Sequence, residues 1–405
     1  MAVYLFATLD TKGREAAFAR DELRRAGVET VLVDAGCLGE PDVRPDVSRE
    51  ELFLAAGTTL AALRARNDRG EAVNAAARGA EALARRAFAA GKLSGVLGLG
   101  GSAGTTIGTA AMRALPLGVP KLMVSTLASG SVGAYVGTKD VLMMHSVVDI
   151  LGLNRVSRMI LARAAQAMAG MVNGRSPASS GDRPIVAATM FGVTTPCVER
   201  AREILEEAGF EVLVFHATGS GGRTMESLID EGLVAGVLDV TTTELADQLV
   251  GGVLSAGSER LTAAGRRGVP QVVSVGAVDM VNFLAPETVP ARFAARRFHR
   301  HNVNVTLMRT TVEENAALGA EIGRKVAAAR GPAAILLPGR GVSAIDRAGQ
   351  PFDDPAARRA LFDGIRAHAG SVPVRELDLH VNDPAFAEAL AKELLELLAL
   401  AARKT

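Results

Sequence analysis

The sequence predicts an α/β protein of two tandem Rossmann-like domains with doubly wound, mostly parallel sheets, related by internal duplication. Short apolar strands alternate with longer helical segments along the chain, an order that gives parallel sheets covered by helices. Several helical segments close with Ala-Gly directly before a strand, for example at Gly27 and Gly209. Glycine is the expected residue just past a helix end.

The duplication rests on four pairs of similar segments that occur in the same order in both halves. The pairs are 3–9 with 185–190, 29–34 with 211–216, 95–98 with 236–239, and 118–121 with 268–271. Each segment is an apolar strand or leads into one, so both halves repeat the same succession of strands. We therefore place the first domain at 1–175 and the second at 183–405. A polar linker around 174–182 joins them.

Extra helical material separates the second and third strands of the first half. One helix is predicted from Ser48 to Arg64, opened by a capping box of Ser48 and Glu51. An alanine-rich helix is predicted from Gly70 to Ala90. We expect these helices to form packing or oligomer surface rather than part of a ligand site.

The composition argues against several classes of protein. A chain of 405 residues, 48% of them hydrophobic, can fill two or three domain cores. A net charge of +1 gives no reason to expect nucleic acid or a membrane as a partner. Two cysteines are too few for a disulfide framework or a zinc site. Because no membrane-spanning apolar run or signal peptide is evident, we expect a cytoplasmic protein.

The stretch richest in chemistry is a glycine-rich turn between a strand and a predicted helix. It reads Gly98-Leu99-Gly100-Gly101-Ser102 and continues to Thr106. Glycines let the backbone turn tightly and approach a ligand closely. The N-terminus of the following helix would present free N–H groups and a positive dipole end to an anion. A phosphate-bearing ligand is the interpretation that we favour.

Two other interpretations of this turn stay open from the sequence. Its spacing, Gly98-x-Gly100-x-x-Ala103, fits a relaxed dinucleotide fingerprint, which would indicate NAD. That fingerprint also requires an acidic residue at the end of the next strand, but this strand ends Val124-Ser125-Thr126. The turn could also be purely structural. A Walker-type loop is excluded, because no Gly-Lys-Ser/Thr follows.

The loops at the carboxyl ends of the strands supply the candidate binding residues, because ligands of open α/β sheets bind there. In the first domain the nucleotide-binding candidates are Thr8, Leu9, Asp10, Thr11, Lys12, Gly98, Gly100, Gly101, Ser102, Gly104, Thr105, Thr106, Ser125, Thr126, Ala128 and Ser129. In the second domain the candidates for a cleft between the domains are Phe191, Gly192, Thr194, Thr241, Thr242, Arg309, Gly339, Gly341 and Ser343. Most are glycine, serine or threonine, and many neutral donors with few charges suit a polyanion.

Asp10, Lys12 and Asp346 are the candidates for catalytic roles. Lys12 could neutralise phosphate, and Asp10 could bind magnesium or a ribose hydroxyl. Alternatively, Asp10 or Thr11 caps the next helix. Asp346 could serve as a second carboxylate for a metal or as a general base, with a turn role as the alternative. No set of Cys, His, Asp or Glu residues has a convincing metal-ligand spacing. The basic run Arg296–His301 could meet phosphate or form a solvated surface.

Several motifs together resemble one family. They are Ala7–Lys12, the Gly-Leu-Gly-Gly-Ser turn, His301–Thr311, and Leu337–Asp346. The chain is similar to the family of the ATP-binding N-terminal domain of the tomato mosaic virus resistance protein, which has bacterial and fungal members. The resemblance runs nearly end to end. It implies a two-domain Rossmann-like protein that binds ATP with magnesium and self-associates, as a homodimer or larger homo-oligomer. It also implies nucleotide contacts within 8–12, 100–102 and 125–129.

Three functions follow from these observations. The first is ATP binding, in an enzyme that would act with magnesium on a small metabolite held near the cleft. The second is a nucleotide-responsive regulatory or binding module without turnover. The scarcity of clear general bases favours this second function, whereas the polar strand-end loops in both halves favour the enzyme. A nicotinamide-dependent oxidoreductase is a distant third.

Overall fold

The computed structural model describes residues 1–66, 68–174 and 181–403. It divides into two compact units, Met1–Ala178 and Ser179–Thr405. Most of the predicted linker, residues 175–180, lies outside the described residues. Within the described part of the chain, no helix is both long and apolar enough to cross a membrane.

The first unit alternates strands and helices in the predicted manner. Its elements are β1 (Ala2–Ala7), α1 (Leu9–Arg25), β2 (Thr30–Asp34), α2 (Arg49–Ala55), α3 (Leu60–Arg66), α4 (Arg69–Ala89), β3 (Leu93–Gly100), α5 (Ser102–Arg113), β4 (Lys121–Ser125), α6 (Gly133–Val136), β5 (Leu142–His145) and α7 (Arg155–Asn173). The five strands form one parallel sheet in the order β2-β1-β3-β4-β5. This is the flavodoxin-like order, whose strand sequence reverses direction between β1 and β3.

The sheet of the first unit is covered by helices on both faces. One face packs α1 and α7 through buried side chains such as Leu23 and Leu161. The other face packs α2, α4 and α5 through side chains such as Phe53 and Met112. Because both faces are buried, the strands are nearly continuous apolar runs, and their polar groups concentrate in the loops at their ends.

The inserted helices differ from the prediction in one respect. The segment predicted as a single helix from Ser48 to Arg64 is two helices, α2 and α3, while the capping box of Ser48 and Glu51 is present. The break includes Gly57, which has φ +74°, a left-handed conformation that ends a helix. The alanine-rich helix is confirmed as α4.

The second unit contains a larger parallel sheet and a small antiparallel one. Its elements are β6 (Ile185–Met190), α8 (Thr195–Glu207), β7 (Glu211–His216), α9 (Ser220–Asp230), β8 (Gly236–Thr241), α10 (Thr243–Val250), α11 (Ala263–Arg267), β9 (Gln271–Gly276), β10 (Met280–Phe283), β11 (Phe298–Asn302), β12 (Val305–Arg309), α12 (Val312–Ala327), β13 (Ala333–Pro338), α13 (Pro355–His368), β14 (Val374–Leu377) and α14 (Pro384–Ala402). Two 3-10 turns, Pro286–Thr288 and Ala291–Phe293, lie between β10 and β11.

The parallel sheet of the second unit has the order β14-β13-β9-β8-β6-β7. The succession β7-β6-β8-β9 repeats β2-β1-β3-β4, so the four pairs of segments matched in the sequence occupy equivalent positions in the two sheets. The antiparallel sheet, in the order β10-β12-β11, was not expected from the sequence.

Candidate functional site

A cavity of about 270 Å³ opens in the first unit where the strand order reverses. One side is the loop after β1, with Thr8, Asp10, Thr11 and Lys12; the other is the turn after β3, from Gly101 to Gly104. This is the position at which ligands of doubly wound sheets bind. The structure thus brings together two of the predicted motifs, which are about ninety residues apart in the sequence.

Two helices start at the cavity, and neither has a capping hydrogen bond from its own N-cap residue, although the first N–H of α1, that of Leu9, donates to Oδ1 of Asp34 at 3.1 Å. Gly101 is the N-cap of α5 and Thr8 is the N-cap of α1, and neither makes a side-chain capping hydrogen bond. The first N–H groups of a helix have no partner within the helix, and they carry a partial positive charge. Gly101 adds no side chain in front of α5, so an anion can reach these donors.

Asp10 and Lys12 lie in the first turn of α1, and each already has a protein partner. Oδ2 of Asp10 accepts a hydrogen bond from the backbone N–H of Leu38 at 2.9 Å. Nζ of Lys12 donates to the carbonyl of Ile150 at 2.6 Å. An ammonium group has three donors and a carboxylate has two oxygens, so both side chains keep capacity for a ligand. Asp10 is not the N-cap, because Thr8 holds that position.

The third wall of the cavity comes from α4 and from the loop after β2. Arg69, Ala72, Val73 and Ala76 of α4 line it, together with Cys37. The sequence analysis expected the inserted helices to form packing or oligomer surface, whereas α4 lines this cavity. Burial raises the pKa of the Cys37 thiol, and the negative charge of Asp10 raises it further. The thiol therefore stays protonated at neutral pH, which argues against a nucleophilic role.

Other candidates of the first unit shape the cavity without lining it. A Cβ on Gly98 would lie 2.5 Å from the sulfur of Met123, and one on Gly100 would lie 2.6 Å from Cα of Gly104. These glycines therefore allow close packing behind the turn. Leu9 is buried in the core. The remaining candidates outside the lining are Thr105, Thr106, Ser125, Thr126, Ala128 and Ser129.

Hydroxyl groups among these remaining candidates tie the neighbouring loops together. Oγ1 of Thr105 and Oγ of Ser125 are 2.7 Å apart, and Ser125 Oγ accepts from the N–H of Leu127 at 2.9 Å. Thr106 donates to the carbonyl of Ser102 at 3.0 Å. Because these groups bond to the protein itself, the structure gives them a positioning role for the turn.

The equivalent point of the second unit is closed. Oγ1 of Thr194, after β6, lies 2.8 Å from Oγ1 of Thr241, at the end of β8, and both side chains are fully buried. Thr242 donates to the carbonyl of Ser274 at 3.1 Å. Where glycines leave a cavity in the first unit, threonine side chains here span the gap between the strands.

A buried arginine holds the loops around this closed point. Arg260 is fully buried and donates to Asp239 at 2.5 and 2.7 Å and to Glu244 at 2.7 Å. Glu244 also accepts the N–H groups of Gly219 and Gly222 at the start of α9. The negative charges of its partners raise the pKa of Arg260 well above its ordinary value despite burial. Sequence reasoning missed Arg260, since no motif places it near the strand ends.

A second buried network lies at the ends of β9 and β13. Ser343 donates to Asp279 at 2.8 Å, and Asp346 accepts from Arg358 at 2.7 Å and from Arg309 at 3.5 Å. Burial and the nearby Asp346 charge raise the pKa of Asp279 to about 7. Burial also raises the pKa of Asp346. Asp346 is enclosed and paired with two arginines, which are the surroundings of a structural carboxylate, whereas Oδ1 of Asp279 is buried without a hydrogen-bond partner.

The other second-unit candidates are placed as follows. The rings of Phe191 and exposed His216 pack together with their centroids 5.4 Å apart. Gly192 is exposed. Gly341 is buried with φ +137°, and a Cβ there would lie 1.8 Å from the carbonyl of Asp346. Gly339 donates its N–H to the carbonyl of Leu377 at 2.8 Å. These glycines fix the loop that carries Ser343.

Within the described residues, no group of three or more His, Cys, Asp or Glu side chains could hold a metal ion. A magnesium ion at the first-unit cavity would thus depend on oxygens that a ligand supplies, with Asp10 as the protein carboxylate. Magnesium is commonly bound in this way, through one or two carboxylates and substrate phosphates.

Comparison with known proteins places the chain in a family. The N-terminal domain of the uncharacterised protein family UPF0261 matches residues 1–177, and its C-terminal domain matches residues 183–398. The chain belongs to the UPF0261 family. A UPF0261 protein of Clostridium tetani is 47% identical over 398 residues, 98% of each chain. A UPF0261 protein of Rhizobium meliloti is 51% identical over 390 residues, 96% of each chain.

The same family connects the chain to a plant protein. The ToMV resistance protein Tm-1(GCR237) of Solanum lycopersicum is 47% identical over 313 residues, which are 75% of this chain and 42% of that protein. The resemblance inferred from the sequence motifs is thereby confirmed. Like the fold, it extends over both units, since the two UPF0261 domains cover nearly all of the chain.

Proposed function

We propose that the cavity of the first unit binds ATP together with Mg²⁺. The observation that carries this proposal is the position of the cavity, at the β1/β3 reversal point, between the first turn of α1 and a glycine-rich turn that leaves the N-terminus of α5 uncapped. A site of this kind favours an anion with several oxygens, because it offers several backbone N–H and hydroxyl donors rather than a single buried ion pair. The similarity to the plant family adds support for the nucleotide.

The triphosphate would lie against the N-terminus of α5, where Gly101 and Ser102 leave the first N–H groups accessible. Two cations line the same cavity, Lys12 and Arg69. Within the described chain Arg69 makes no hydrogen bond or ion pair to another side chain, so its guanidinium is available to a phosphate, which it can grip with two parallel hydrogen bonds. Asp10 would hold Mg²⁺ through Oδ1, since Oδ2 is engaged by Leu38.

The cavity favours a nucleotide-responsive regulatory or binding role without turnover of ATP. Its ionisable lining consists of Asp10, Lys12, Cys37 and Arg69, so it contains one carboxylate and no histidine. General-base catalysis needs a group with a suitable pKa within hydrogen-bond reach of the reacting atom, and Asp10 is the one carboxylate there. An ATP-dependent reaction on a small metabolite is the second candidate, with Asp10 as its base. Self-association and a cytoplasmic location stay predictions.

A regulatory role is also supported by the way the cavity is connected to its own unit. Lys12 contacts Ile150, and the carboxylate of Glu15 accepts the N–H of Gly152. Both contacts join α1 to the segment between β5 and α7. A phosphate that draws Lys12 toward the cavity would weaken its bond to Ile150, so nucleotide binding would be felt in this segment.

Calorimetric titration with ATP, ADP and NAD, each with and without Mg²⁺, tests the proposal. ATP with Mg²⁺ is expected to bind more tightly than ADP, and NAD is expected to give no heat. Tight NAD binding without ATP binding would overturn the proposal and favour an oxidoreductase. Phosphate release measured over hours with the bound protein then separates the two candidates: none is expected from a regulatory module.

A further inference from the structure

A groove on the second unit combines apolar walls with two polar side-chain groups that have no hydrogen-bond partner among the described residues. It has a volume of about 350 Å³. We call it the β11 groove, and it is lined by Pro286, Val289, Pro290, Ala291, Ala294, Phe298, Arg300 and Thr306. One wall is the segment with the two 3-10 turns, and the other is a face of the antiparallel sheet.

The register of the sheet places three of these side chains on one face. Arg300 of β11 pairs with Thr306 of β12 across the antiparallel ladder, and Phe298 pairs with Met308. Opposed residues lie on the same side of a sheet, and residues two apart along a strand share a face. Phe298, Arg300 and Thr306 therefore point into the groove together, whereas His299 contacts Phe352 on the other face.

Thr306 is the polar group at the floor of the groove. Its side chain is 4% exposed, and its Oγ1 atom is buried without a hydrogen-bond partner. Burying a hydroxyl without a partner is unfavourable, so nearly all such groups in folded proteins find one. Thr306 therefore has unused hydrogen-bonding capacity beneath the groove, and a rotation about its χ1 angle would turn the enclosed hydroxyl toward a ligand there.

Arg300 is the cation of the groove. In the described part of the chain it makes no ion pair or hydrogen bond through its side chain, and it is exposed. Its neighbours are committed elsewhere: Arg296 pairs with Glu314 at 2.6 Å, and Arg297 donates to the carbonyl of Pro351 at 3.3 Å. A planar guanidinium facing an apolar groove is suited to a carboxylate, which it can bind with two parallel hydrogen bonds.

The walls supply an apolar surface for the rest of a ligand. Pro286 and Pro290 stiffen the turn segment, and Phe298 stays 37% exposed on the opposite wall. Leu284 and Val303 nearby are 54% and 66% exposed. Apolar side chains grouped around a cavity commonly mark a ligand site.

We propose that the β11 groove binds a small amphipathic monocarboxylate. Its carboxylate would accept hydrogen bonds from the Arg300 guanidinium and the Thr306 hydroxyl, and its hydrocarbon portion would cover Phe298 and the prolines. The basic run from Arg296 to His301 disfavours a second copy of this strand as the occupant, because two such edges would repel each other. The inference is independent of nucleotide binding, because the groove belongs to the second unit.

Titration of the full chain with straight-chain carboxylates from butanoate to decanoate tests the inference. Affinity is expected to rise by roughly fourfold for each added methylene until the groove is filled. The alcohol of the same length is expected to bind at least about tenfold more weakly, because it lacks the charge that Arg300 pairs with. Absence of binding by every carboxylate at millimolar concentration, or equal binding of alcohol and acid, would overturn the inference.

Two variants locate the ligand, and a third serves as the control. Arg300→Gln is expected to weaken octanoate binding by about tenfold or more and to remove the preference over octanol. Thr306→Val, which keeps the shape of the side chain, is expected to weaken it by a smaller factor. Arg359→Gln removes another exposed arginine and is expected to leave binding unchanged. Unchanged affinity in Arg300→Gln, or burial of the groove in a dimer detected by sedimentation, would contradict the proposal.

Discussion

Two adjacent glycines of the turn after β3 should respond to substitution in opposite ways. A Cβ on Gly101 would have Thr126 Oγ1 at 3.7 Å as its nearest neighbour, an ordinary contact, and the backbone at φ −83° suits any residue. A Cβ on Gly100 would lie 2.6 Å from the backbone Cα of Gly104. The fold therefore has room at Gly101, where a side chain would enter the cavity, and none at Gly100.

The two positions thus separate binding from stability. Gly101→Val is expected to change the free energy of unfolding by no more than about 0.5 kcal/mol. It would shield the first N–H groups of α5, and losing two hydrogen bonds to a charged phosphate, at about 1.5–3 kcal/mol each, would raise the Kd for ATP by at least about 100-fold. Gly100→Ala is expected to destabilise the protein by about 1–3 kcal/mol through overpacking.

Calorimetry with ATP and Mg²⁺, combined with urea unfolding of the same samples, measures both quantities. Gly133→Val is the control, because a Cβ on exposed Gly133 of the same unit would have no neighbour within 4 Å, and it is expected to bind ATP like the original chain. Native-like ATP affinity in Gly101→Val would refute the assignment of phosphate to this turn and leave it a structural turn.

Three further predictions concern the second unit. Arg260→Met leaves Asp239 and Glu244 buried without their cation and should cost about 3–5 kcal/mol of stability in urea unfolding; a loss below 1 kcal/mol, roughly, would contradict the role assigned to this arginine. Gly319→Ala should be destabilising by about 3 kcal/mol or more, because its Cβ would lie 2.1 Å from the carbonyl of Leu361 where α12 packs on α13. As a control from α7 of the first unit, Gly170→Ala, with open space around its Cβ, should not destabilise the protein in the same assay. Burial raises the pKa of Asp247 from 3.8 to about 7, so the folded state holds this proton more tightly than the unfolded chain does. The free energy of unfolding should therefore fall as pH rises from about 4 to 7, by at most about 1.4 kcal/mol per pH unit from this group. In Asp247→Asn, the melting temperature should depend less on pH over that range.

The arrangement of the first unit could be predicted because its signals are local. We predicted β1 to β4 from the apolar strands, the Ala-Gly helix ends and the matched segments. The rule that ligands bind at the carboxyl ends of parallel strands pointed to Thr8–Lys12 and Gly101–Ser102. Arg69 was not predicted as a site residue, because it lies on an inserted helix and is far in sequence from the carboxyl ends of β1 and β3. Its contribution depends on how α4 packs against α5, which no local pattern encodes.

Other differences arise because one residue type can serve two purposes. Gly98 and Gly101 cannot be told apart in the sequence, because both are glycines of the same turn. In the structure, Gly98 is needed for close packing against Met123, whereas Gly101 borders the cavity. Thr194 and Thr241 looked like ligand donors, but their hydroxyls meet each other across the sheet. The antiparallel sheet was missed because β11, Phe-His-Arg-His-Asn, is an exposed edge strand without apolar alternation.

Hydrogen exchange measured by mass spectrometry, with and without ATP and Mg²⁺, tests the central claim most directly. Saturating nucleotide is expected to slow exchange in the peptides covering 8–12 and 101–106, which flank the β1/β3 reversal point, and to leave 191–195 and 241–245 unchanged. Protection confined to the second unit, or none in the first unit at saturating ATP, would contradict the assignment of the nucleotide site.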